Sequence, residues 1–101
     1  MPNQCVYVVT GQWTGGFTAA VRITNRRSVA IDGWNVLWSY PDSSKVTGAW
    51  NAQLSGTNPY RAVNQSYNRT IMPGATVEFG MQGSMPGNQA ATPVVSGAAC
   101  E

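Results

Sequence analysis

The sequence predicts an all-β sandwich, on three observations. Apolar residues alternate with polar ones in short runs, clusters of Gly, Asn, Pro and Ser separate those runs, and no helical period lasts longer than a turn. The chain has 101 residues, 43% of them apolar, which suits one domain of ordinary core size.

The elements are taken in chain order. Residues 4–10 carry a first strand. "GQWTGGF" (11–17) has turn character, yet holds Trp13 between glycines. In "GFTAAVRITN", Phe17, Ala19, Val21 and Ile23 share one face, with Thr18, Arg22 and Thr24 on the other. In "DGWNVLWSY", Trp34, Val36, Trp38 and Tyr40 form an inward stripe opposite Gly33, Asn35 and Ser39. Residues 45–55 and 60–66 supply further strands. In "TVEFGMQGS", Val77, Phe79 and Met81 alternate with Thr76, Glu78 and Gln82, and residues 93–99 complete the set. Turns fall at Pro41-Asp42, Ser55-Gly56, Pro73-Gly74 and Pro86-Gly87. No repeat or linker interrupts this pattern, so residues 1–101 read as one domain, with Met1 to Gln4 as an added start or linker remnant.

Cys5 and Cys100 stand near the two ends. If bonded, they close almost the whole chain into a loop, worth about 4–5 kcal/mol in the chain-entropy model. Such a bond points to an oxidising compartment. No apolar run reaches membrane-spanning length and no signal peptide precedes Cys5, so the expectation is a domain excised from a larger secreted protein.

Charge narrows the function. Only 10% of residues are charged, against about a quarter in a typical soluble domain. One Lys and five Arg face four acids, for a net charge of +2. That is too sparse for the clustered phosphate contacts of a nucleic-acid binder. A neutral partner fits, with no membrane, cofactor or metal implied. Catalysis has few candidates: there is no histidine, and Asp32, Asp42, Glu78 and Glu101 are scattered, whereas a glycosidase needs two carboxyls across one cleft.

The large aromatics divide into two classes. Trp34 and Trp38 lie on an apolar stripe and read as core. Trp13, Trp50 and Tyr67 lie on none: Gly48 and Ala52 flank Trp50, and Gln65 and Arg69 flank Tyr67 at the same-face positions. Three such rings in a charge-poor domain suggest a binding face. A flat aromatic covers the apolar C–H face of a pyranose ring and removes that area from water. At about 1–3 kcal/mol per ring, three rings give about 3–9 kcal/mol, and the middle of that range corresponds to a dissociation constant on the order of tens of micromolar. Tethering to an enzyme would make that affinity useful. Gln82 and Glu78 could hydrogen-bond sugar hydroxyls.

At these residues the chain resembles carbohydrate-binding module family 2, the bacterial cellulose-binding domains attached to secreted cellulases and xylanases. The motifs are Cys5, "GQWTGGFTAAVRITN", "IDGWNVLWSY", "GAWNA", "SYNRTIMPGATVEFGMQGS" and Cys100. The resemblance implies an antiparallel, immunoglobulin-like Greek-key β-sandwich closed by a Cys5–Cys100 disulfide. It also implies a monomeric, non-catalytic module that binds crystalline cellulose and is covalently linked to a glycoside hydrolase. Its coplanar aromatics map onto Trp13, Trp50 and Tyr67, the last where many relatives have tryptophan. Its flanking polar positions map onto Glu78 and Gln82. The xylan-binding subgroup places arginine three residues after the first tryptophan; Gly16 stands there, which implies a coplanar strip. Chitin is the alternative ligand, and a protein hot spot on an immunoglobulin-like adhesion domain the alternative class. In a bacterial protein the glycosylation patterns at Asn64 and Asn68 are read as chance.

Overall fold

The computed structural model describes residues 3–100, with Ala98 by its backbone alone. Among the described residues nine strands run in order: β1 (Gln4–Trp13), β2 (Gly16–Thr24), β3 (Ile31–Asp32), β4 (Asn35–Trp38), β5 (Lys45–Trp50), β6 (Ala52–Gly56), β7 (Tyr60–Asn64), β8 (Thr70–Ile71) and β9 (Thr76–Ser84). They form an antiparallel β-sandwich. One sheet has the order β1-β2-β9-β5, the other β4-β7-β6, and β3 pairs with β8. A single 3-10 turn (Ala98–Cys100) ends the described chain. No described helix is long and apolar enough to cross a membrane.

The alternation in the sequence becomes the core. Phe17, Ala19, Val21, Ile23, Phe79 and Met81 project from the four-stranded sheet and are buried, as are Val36, Trp38, Tyr60 and Ala62 opposite them. The two stripes meet through aromatic pairs. Trp34 stacks on Phe79 with ring centroids 5.4 Å apart and planes within 13°, and Trp38 lies 6.0 Å from Phe79. Trp34 and Trp38 are each 2% exposed, so their assignment to the core holds.

Cys5 and Cys100 are bonded. The bond ties β1 to the 3-10 turn across a sequence separation of 95, so the two ends of the sandwich cannot part independently.

Two expectations need correction. Residues 45–55 form two strands rather than one. Asn51 takes φ 64° between β5 and β6, and this left-handed corner passes the chain from one sheet to the other. Residues 93–99 form no strand: only Ser96 bridges to Leu37, through Leu37 N–H to Ser96 O at 2.8 Å and Ser96 N–H to Leu37 O at 2.9 Å. Pro93 lacks the N–H a ladder needs. At the start of the described chain, Gln4 opens β1, and Asn3 is buried with its Oδ1 accepting the Arg26 N–H at 3.0 Å. Met1 and Pro2, the rest of that segment, lie outside the described residues, as does Glu101.

Candidate functional site

Trp13 and Trp50 end the two edge strands of the four-stranded sheet, β1 and β5. Regular alternation would turn both rings inward, because Val9 pairs with core residue Ala19, and Val46 with Gly83 on the inner side of β9. Each strand instead carries a bulge. The register shifts between Val9 and Gly11, and again between Val46 and Gly48, so Thr10 and Thr47 are extra residues. Each bulge inverts the inside–outside phase of the residues beyond it. Gly11 then pairs with Thr18, and Gly48 with Gln82, both on the outer side; Trp13 and Trp50 follow them out. Two bulges therefore put both indoles on one solvent-facing sheet surface, 51% and 48% exposed. The same bulges are the reason neither tryptophan showed an alternating stripe in the sequence.

Each indole is seated over a cross-strand glycine. Trp13 pairs with Gly16 on β2, and a Cβ at Gly16 would fall 2.7 Å from Trp13 Cε2 and 2.9 Å from Cζ2. Trp50 pairs with Gly80 on β9, where a Cβ would collide with the Nε1, Cε2 and Cζ2 edge of its ring. Only glycine leaves room for rings so placed. Sequence reading found Gly16 through the family pattern but missed Gly80, whose role depends on register between distant strands. Gly15 has a separate role: φ +85° closes the Trp13–Gly16 hairpin.

The register also sets the spacing. Gly16 faces Ser84, four residues along β9 from Gly80. With about 3.3 Å per residue and about 4.8 Å between strands, the two seats are about 14 Å apart. No single monosaccharide reaches across that gap; an extended chain does. Between them runs the row Gly11–Thr18–Gln82–Gly48, with Gln82 exposed on it. Gly11 and Gly48 bear no side chain, so Gln82 is the long amide side chain of this row. Glu78 lies one outward pair beyond the Trp50 seat. It faces Arg22 and accepts from Arg22 Nε at 2.7 Å, both side chains about half exposed. The structure thus sets Gln82 between the indoles and Glu78 outside them.

Tyr67 comes from the turn after β7 and is 71% exposed. Its hydroxyl donates to Asn51 Oδ1 at 2.9 Å, which brings it beside the corner that follows Trp50. Both asparagines of the glycosylation patterns are engaged in this region. Asn64 Oδ1 accepts from Trp34 N–H at 3.0 Å, and Asn68 Nδ2 donates to the Asn51 carbonyl at 2.6 Å.

The described acids do not converge. Glu78 pairs with Arg22, Asp32 with Arg69 at 2.7 Å, and Asp42 accepts from Ser44 N–H at 2.9 Å. Ser44, through its side chain first and its backbone N–H second, lowers the Asp42 pKa below its ordinary value. No group of three His, Cys, Asp or Glu among the described residues could hold a metal.

Residues 3–100 match the CBM_2 family, the cellulose binding domain. The chain belongs to this family. It is a non-catalytic carbohydrate-binding module. It is 58% identical over 96 residues to Endoglucanase C of Cellvibrio japonicus (strain Ueda107), covering 95% of this chain but only 13% of that protein. Among solved structures, it matches a chitin-binding domain from Streptomyces coelicolor at 31% identity and a TM-score of 0.76, over 99% of this chain and 95% of that one. It also matches the cellulose-binding family 2 carbohydrate binding domain of ScLPMO10C at 27% identity and a TM-score of 0.72, over 95% and 96%.

Proposed function

We propose that this module binds crystalline cellulose through a planar strip of Trp13, Trp50 and Tyr67, with Gln82 hydrogen-bonding between the indoles and Glu78 at the margin. In this reading it is a monomer in a secreted protein, and it holds a covalently attached glycoside hydrolase on plant cell wall polysaccharide. The observation that carries the proposal is the pair of exposed indoles on one sheet face, each over a glycine and about 14 Å apart. Such a surface fits an extended, uncharged ligand with flat apolar faces. Between the rings it offers an amide and small residues rather than charge. A protein hot spot would instead gather its aromatics in a pocket.

Chitin is the second reading. It is favoured by the 0.76 TM-score to the Streptomyces chitin-binding domain, and a chitin chain offers a similar apolar face. Depletion of the domain from solution by microcrystalline cellulose, chitin and insoluble xylan in parallel ranks the three ligands. Trp13→Ala and Trp50→Ala should each lose most of the adsorption to cellulose. If both adsorb like the parent, the ring-strip reading is wrong.

A further inference from the structure

Tyr67 poses a problem for any stacking role. At 71% exposure, little packing holds its ring, so a ligand would have to immobilise it on binding. The structure offers a remedy in one residue. Asn51 Oδ1 accepts the phenol proton at 2.9 Å, and the Asn51 carbonyl accepts from Asn68 Nδ2 at 2.6 Å. Asn68 in turn closes its own turn by accepting from Gln65 N–H at 2.7 Å. Its carbonyl accepts the indole N–H of core residue Trp34 at 2.8 Å. The turn bearing Tyr67 is thus fastened to the core on one side and to Asn51 on the other. Asn51 itself follows Trp50 directly and makes the corner where the chain leaves the first sheet.

We propose that Asn51 is a positioning residue of the sugar-binding face, its carboxamide holding the Tyr67 ring in place beside Trp50 before ligand arrives. This rests on the reading of Tyr67 as a stacking platform. Backbone geometry alone does not call for asparagine at position 51. A φ of 64° suits glycine at least as well, so the carboxamide is free to serve the phenol.

The test uses Asn51→Gly, which keeps the corner and removes the acceptor, and Tyr67→Phe, which keeps the ring and removes the donor. Each should weaken adsorption to microcrystalline cellulose by about three- to tenfold, the size of one hydrogen bond's loss. Melting temperatures should stay close to the parent's. The double variant should bind no worse than the weaker single, because both remove the same bond. Parental binding by either single variant, or losses that multiply in the double, would overturn the inference. Tyr67→Ala separates this from the underlying reading. If it too binds like the parent, the stacking role of Tyr67 fails; if it alone is weak, only the positioning role does.

Discussion

Replacing Gly80 with alanine should weaken binding to cellulose while leaving the fold intact. An added Cβ would stand within 3.0 Å of three atoms of the Trp50 indole, so the ring must retreat to 3.4 Å or beyond. The glycine lies inside β9 without a positive φ, so the backbone accepts alanine. Strand interiors favour alanine over glycine by about 0.5–1 kcal/mol, which offsets part of the cost of moving the ring. The melting temperature should therefore stay within about 5 °C of the parent. Losing the stacking of one ring, about 1–3 kcal/mol, corresponds to about 5- to 150-fold weaker adsorption. Gly87→Ala is the control. It lies in the turn after β9, off the row between the indoles, and its Cβ would meet nothing within 4 Å, so it should bind within twofold of the parent. Depletion isotherms on microcrystalline cellulose, with thermal melts alongside, read both effects. If Gly80→Ala binds like Gly87→Ala while Trp50→Ala does not bind, the glycine is not what fixes the indole, and the reasoning fails.

The same packing sets other outcomes. Trp34→Ala should cost about 3–5 kcal/mol of stability by chemical denaturation, since the ring is 2% exposed and stacked on Phe79. A loss below about 1 kcal/mol would contradict its place in the core. Breaking the Cys5–Cys100 bond by reduction or paired Ser substitution should lower stability by about 2–5 kcal/mol. Adsorption of the fraction still folded should be unchanged, because the bond lies away from the ring face. Stability should also fall in alkali. Tyr7 and Tyr40 share a buried bond of 2.9 Å between their hydroxyls, and burial raises both phenol pKa values above the usual range. Below about pH 10 both phenols are neutral folded or unfolded, so they add no pH dependence. Above it the unfolded chain loses protons that the folded chain keeps, and the denaturation midpoint should drop. Tyr7→Phe should make that drop shallower; an unchanged slope would assign it to other groups.

Much of the sandwich was legible because its signals are local. Alternation identified Phe17 through Ile23, Trp34 through Tyr40, and Val77 through Met81 as inward stripes, since each strand meets the opposite sheet with every second side chain. The 45–55 run misled because nothing apolar marks the corner at Asn51; a single left-handed φ splits one alternating pattern between two sheets. Residues 93–99 are apolar enough to pack, but pack as an irregular segment held by one bridge.

By itself, the sequence determined the fold class and the buried tryptophans, and it left Trp13, Trp50 and Tyr67 off every apolar stripe, because composition and period-two alternation act over a few residues. Only the tertiary structure decided which way Trp13 and Trp50 point, what lies beneath them, and where Gln82 and Glu78 fall relative to them. The bulges at Thr10 and Thr47 depend on how β1 and β5 register against their neighbours, and Gly80 meets Trp50 across about thirty residues of chain. Register is a property of paired strands, and no single stretch of residues carries it.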